Sequence, residues 1–73
     1  MTKLGEYLTS KSVNKSEVAR KTGISKARLS ELTTKPSARL RASELYMIAL
    51  AIGVEPGGLL EYICGHLRKK VQI

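Results

Sequence analysis

Ser16, Ser25, Ser30 and His66 are the residues whose types could supply a nucleophile and its base, and Cys64 with His66 could begin a metal site. No elbow motif, oxyanion glycine pattern or paired acid accompanies the serines, so no enzyme activity is expected. Cys64 and His66 lie two positions apart without a second ligand pair, so neither a metal nor another cofactor is expected. They read as core edge and helix surface. Tyr7, Tyr46 and Tyr62 are too scattered to build a base-stacking platform for single strands. What remains is ionic chemistry: 13 Lys and Arg against 6 Asp and Glu give a net charge of +7 and a pI near 9.9. Such an excess needs a polyanionic partner, and nucleic acid is the first candidate.

The charge is unevenly placed. Residues 1–41 carry ten basic side chains and three acids, Glu6, Glu17 and Glu31, which accounts for the whole +7. Residues 42–67 carry no Lys or Arg and three acids, Glu44, Glu55 and Glu61, which Arg68, Lys69 and Lys70 then offset. The cation therefore belongs to one half of the chain.

At 73 residues the chain accommodates one small domain, 1–73. A fold of this size buries roughly 60% of its unfolded surface and has a core margin of about 3–5 kcal/mol. No large enclosed substrate or effector cavity is expected within it. A lone cysteine and the absence of a signal-peptide pattern suggest the cytoplasm. The longest nearly unbroken apolar stretch, Leu45 to Val54, is ten residues, about half of the ~20 needed to cross a bilayer.

Apolar spacing outlines an all-α fold of five helices. Leu4, Tyr7 and Leu8 share a face of a first helix from Thr2 to Lys11, which Ser12 and Val13 interrupt. Asn14 and Glu17 form a capping-box pattern ahead of a short helix from Lys15 to Lys21, with Val18 and Ala19 on its apolar face and Gly23 as its left-handed terminator. Ser25 caps a third helix, with Leu29 and Leu32 inward, that ends at Thr33-Thr34 before Lys35-Pro36. Ala42 to Ile52 is the core helix, with Leu45, Ile48, Ala49 and Ile52 at helical spacing and Gly53 as its end. Pro56 opens a last helix carrying Leu59, Leu60, Ile63 and Leu67. The tail 68–73 either frays or pairs as a short strand.

Residues 15–32, KSEVARKTGISKARLSEL, thus read as two helices joined by a short turn containing Gly23. A steep crossing needs a small residue at the contact, which Ala19 supplies, and apolar plugs, which Val18, Ile24, Leu29 and Leu32 supply. These are the physical requirements of a helix-turn-helix. The segment resembles the DNA-binding unit of the phage-repressor-like (Cro and lambda-repressor-like, XRE family) transcriptional regulators. Leu45 to Leu60, LYMIALAIGVEPGGLL, resembles that family's fourth helix, glycine turn and start of the fifth, so the likeness covers residues 2–64. Three features depart from the pattern: Thr22 at an often apolar position, a longer and more basic 35–41 loop, and Glu55 in place of a Ser, Thr or Asp cap.

The resemblance implies a compact five-helix lambda-repressor-like DNA-binding domain whose third helix, 25–33, enters the major groove. Lys26, Ala27, Arg28 and Glu31 would then contact bases: Arg28 or Lys26 at guanine O6 and N7, Ala27 at a thymine methyl, Glu31 at cytosine N4. Alternatively, Arg28 and Glu31 form only an i, i+3 surface pair. Asn14, Lys15 and Ser16 at the start of the second helix, Ser25 and Ser30, and Thr33, Thr34, Lys35, Arg39 and Arg41 would hold phosphates. Arg20 and Lys21 read as solvated surface. A homodimer on a palindromic operator is expected, joined around Leu59, Leu60, Ile63 and Leu67, although the same leucines could close the core.

The expected function is sequence-specific binding of double-stranded DNA by a transcriptional regulator, repressor rather than activator. The alternative is an antitoxin-like protein-interaction module that autoregulates through its helix-turn-helix; a chain filled by the five-helix domain leaves it no extended segment to wrap a partner. Binding to a membrane surface by the basic half is disfavoured, because the second and third helices are too short to offer a strong apolar face.

Overall fold

Local signals decide where each helix of the computed structural model, which describes residues 1–71, begins and ends. α1 spans Lys3–Ser10, α2 Lys15–Thr22, α3 Lys26–Thr34, α4 Ala42–Ile52 and α5 Pro56–Cys64, followed by a 3-10 helix, Gly65–Lys70. Among the described residues there is no strand. The all-α, five-helix expectation therefore holds. The tail expected to fray or pair lies partly in 72–73, outside the described residues, while 68–70 belong to the 3-10 helix.

Side-chain oxygens start three of the helices. Thr2 Oγ1 accepts from Gly5 N–H, Asn14 Oδ1 from the N–H groups of Ser16 and Glu17, and Ser25 Oγ from Arg28 N–H. Each satisfies a donor that the first helical turn leaves without a partner. The capping box expected at Asn14 forms only on that side, because the Glu17 carboxylate pairs with Arg20 at 2.8 Å. Gly23 and Gly53 end α2 and α4 at φ of 79° and 75°. The left-handed residue after α1 is Ser12, at φ 55°, with Val13 N–H donating back to Leu8 O at 3.0 Å. That bond is the long closure of a Schellman turn, made here on a residue that favours the conformation less than glycine.

The core gathers Leu4, Leu8, Val18, Ile24, Leu29, Leu32, Leu45, Ile48, Ala49 and Leu59. α3 sits against α1 and α2, while α4 packs on α2 and α5. Ala19 and Ile52 lie half-buried at the margin of this core, as do Tyr7 and Ile63. α1 approaches the end of α3 so closely that a Cβ at Gly5 would run into the carbonyl oxygen of Thr33. Thr2 N–H donates to that same carbonyl at 3.0 Å, and Thr2 Oγ1 to Leu32 O at 2.7 Å. The C-terminal end of α3 is thus fixed from behind.

Candidate nucleic-acid interface

A helix turns 100° per residue, so burying Leu29, Leu32 and Thr33 leaves the opposite face of α3 to solvent. Lys26, Ala27, Ser30, Glu31 and Thr34 are all exposed there. The face offers one ammonium, one methyl, two hydroxyls and one carboxylate, a mixed set of donors, acceptors and apolar contact suited to base edges. Thr34 Oγ1 donates to Ser30 O at 2.6 Å.

Arg28 is arranged differently. Its Nε–H donates to Glu44 Oε2 at 2.9 Å, while NH2 donates to Glu44 Oε1 at 3.1 Å and to Arg39 O at 2.7 Å. NH1 approaches Glu31 Oε1 only to 3.9 Å, so the expected i, i+3 pair is loose. The fork expected to read guanine thus faces a carboxylate on α4 and the loop backbone at Arg39. Glu44 is the residue that sequence reasoning missed. It is 7% exposed, and its Oε1 also accepts from Arg41 N–H at 2.9 Å, supplying half of a capping box at the start of α4. The Arg28 hydrogen bonds hold its carboxyl below the usual glutamate range against the opposing effect of burial, and the Arg41 N–H adds to the lowering. Its place at the third position of α4 was the one local signal.

The residues expected to hold phosphates fall into two groups at opposite ends of α3. Lys15 Nζ donates to Thr33 Oγ1 at 3.2 Å, which joins the start of α2, with Asn14 and Ser16, to the end of α3. Asn14 Oδ1 already occupies the Ser16 and Glu17 N–H groups, so an anion there would meet side chains and not a bare helix terminus. Thr33 itself is 1% exposed and donates to Leu29 O at 2.9 Å; it belongs to the core and not to the phosphate-facing surface. At the other end, Ser25 lies beside Arg28, which ties down the backbone of Arg39 and shares Glu44 with Arg41. Arg39 and Arg41 are exposed there, while Lys35 is exposed at the C-cap of α3, on the side of Lys15.

Arg20 pairs with Glu17 on the surface, as its solvated reading implied, and Lys21 is exposed. Lys3 and Lys11 stand over the rings of Tyr62 and Tyr7, at 5.9 and 5.6 Å from their centroids, on a side where α1 meets α5. Cys64 is half-buried and His66 exposed. Of the four residues expected at a dimer interface, Leu59 is 0% exposed and fills the core, because it faces inward from α5. Leu60, at 50%, and Leu67, at 41% on the 3-10 helix, are open, while Ile63 is half-buried.

An inward-anchored helix following a glycine turn, presenting a mixed polar face flanked by cations, is the arrangement of a helix-turn-helix protein. The sequence model of the Cro/C1-type helix-turn-helix DNA-binding domain matches residues 3–65, and the chain belongs to that family. It is accordingly a double-stranded DNA-binding, transcription-regulating protein, of a family that is not an enzyme class. No curated protein and no solved structure matches it significantly. Among the described residues no helix is long and apolar enough to cross a membrane.

Proposed function

We propose that the protein is a cytoplasmic transcriptional repressor that binds an inverted-repeat operator as a homodimer and reads the major groove with α3. The observation that carries this reading is the exposed face of α3, where Lys26, Ala27 and Glu31 stand outward while Leu29, Leu32 and Thr33 hold the helix from behind. Asn14, Lys15 and Ser16, with Ser30, Thr34 and Lys35, grip phosphates at one end of the helix. Ser25, Arg39 and Arg41 do so at the other. Repression demands nothing beyond occupancy of a promoter, which a DNA-binding fold supplies by itself.

One α3 reads only a few base pairs, whereas two related by a two-fold axis read half-sites about 34 Å apart. The second copy docks on the open side of α5. Support comes from exposed Leu60, Leu67 and Val71, and from an adjoining apolar groove of about 560 Å³ between Met1, Leu4, Leu45, Leu60 and Ile63. Selection of duplexes from a random pool, at low and near-physiological salt, tests the reading. An enriched inverted repeat is the expected result. Salt-sensitive binding that enriches no sequence would overturn it, and light scattering that finds a single 8.0 kDa protomer on each operator duplex would remove the dimer.

A further inference from the structure

Arg28 occupies the third position of α3, where a guanidinium would ordinarily be taken for a guanine reader. A bidentate contact to guanine O6 and N7 needs two adjacent N–H groups of the fork to be available. Nε has one hydrogen, directed to Glu44 Oε2; NH2 has two, directed to Glu44 Oε1 and Arg39 O. Only NH1 retains uncommitted hydrogens, and one nitrogen cannot make the paired contact. Breaking the Glu44 contacts to free the fork would leave a largely buried carboxylate without its counter-charge, a costly state.

We propose that Glu44 is a specificity-determining residue of this interface: it withdraws Arg28 from the bases and makes it a positioning residue that ties α3 to the Lys35–Arg41 loop. The inference rests on the DNA-reading role of α3. Through Arg28 and Arg41 N–H, the one carboxylate fixes the start of the recognition helix, the loop backbone at Arg39 and the first turn of α4. Base discrimination then falls to Lys26, Ala27 and Glu31.

The test compares pools selected by the wild type, Arg28→Ala, Glu44→Gln and the double variant. The wild type and Arg28→Ala should enrich the same consensus, with Arg28→Ala binding every sequence more weakly. Glu44→Gln puts an amide donor against the arginine fork and releases it. This variant should gain a new guanine preference at one position of each half-site, on the order of tenfold, as expected for a bidentate arginine contact. The double variant should lack it. Loss of one guanine preference in the Arg28→Ala pool would overturn the proposal, as would a Glu44→Gln pool merely weakened with no new preference. A wild type that enriches nothing would instead defeat the DNA-reading role, and this proposal with it. The Arg28 Nε–H resonance gives a direct readout that requires no variant to fold. It should stay exchange-protected and unshifted when the selected duplex is added, and its release on binding would likewise overturn the proposal.

Discussion

Glu44 accepts three hydrogen bonds, two from Arg28 and one from Arg41 N–H, while almost hidden from solvent. Its carboxyl is held below the usual range by the Arg28 bonds. A carboxylate with a depressed folded-state pKa contributes stability that is complete above its unfolded value, about 4.3, and is lost as pH falls through the folded value. We expect Glu44→Gln to be less stable than wild type at neutral pH, by a gap that holds to about pH 5 and narrows as pH falls from about 4.3 toward the folded-state value, because the unfolded chain's carboxyl there takes up a proton that the folded one still resists. Denaturant titrations of both proteins from pH 7 to pH 2 measure that gap. Glu17 and Glu61 are also held low, by Arg20 and Arg68, but both proteins lose those contributions alike. A gap independent of pH would show that the charge on Glu44 stabilises nothing. Arg28 was legible as a cation near a helix start. Its partner lies 16 residues away on another helix, and no local periodicity couples the two.

The start of α3 depends on one hydroxyl. Replacing Ser25 by alanine removes the acceptor for Arg28 N–H and should cost about 1 kcal/mol, which lowers Tm by about 4–8 °C in a domain of this size. Ser25→Asp should keep most of that stability. An unchanged Tm for Ser25→Ala would mean that water caps the helix equally well. At Gly5 two effects oppose each other. Alanine improves helix propensity by about 1 kcal/mol, but its Cβ meets the Thr33 carbonyl oxygen, which Thr2 N–H holds in place. Overpacking against backbone costs about 1–3 kcal/mol, so thermal melts should show Gly5→Ala destabilised. A higher Tm would mean that α1 can slide away from α3. Caps and turns such as Asn14, Ser25, Gly23 and Gly53 were readable because their partners lie within a few residues. Gly5 was not, since the helix end that requires it is distant in sequence. Along α5, Leu59, Leu60, Ile63 and Leu67 span more than one face, so spacing alone could not place Leu59 in the core and Leu60 outside. The chain also leaves the α-helix at Cys64, which moves Leu67 onto the 3-10 helix.

Over the whole molecule, the ten basic residues of the first half do not act together. Arg20 and Arg28 are paired with Glu17 and Glu44, and Lys3 and Lys11 lie over the tyrosines of α5 and α1. Lys21 is exposed at the end of α2, and Lys15, Lys26, Lys35, Arg39 and Arg41 remain exposed on or beside α3. Each phosphate neutralised on duplex DNA contributes about −0.9 to the slope of log K against log salt. Lys15 stands at the end of α3 with its ammonium held at 3.2 Å from Thr33 Oγ1, away from the base-facing residues. Lys15→Ala should therefore weaken binding to all sequences alike and make the slope shallower without altering the selected consensus. The size of the change also counts protomers: one lost contact gives about 0.9 for a monomer, and two related contacts give about 1.8 for a dimer on its operator. Leu60→Glu, which puts a charge on the open side of α5, separates the cases. In that background a dimer-dependent protein should bind only single half-sites, and the Lys15→Ala increment should fall to the monomer value. An increment near 0.9 in both backgrounds would make the protein a monomer on DNA, and a changed consensus in the Lys15→Ala pool would place that lysine among the base readers.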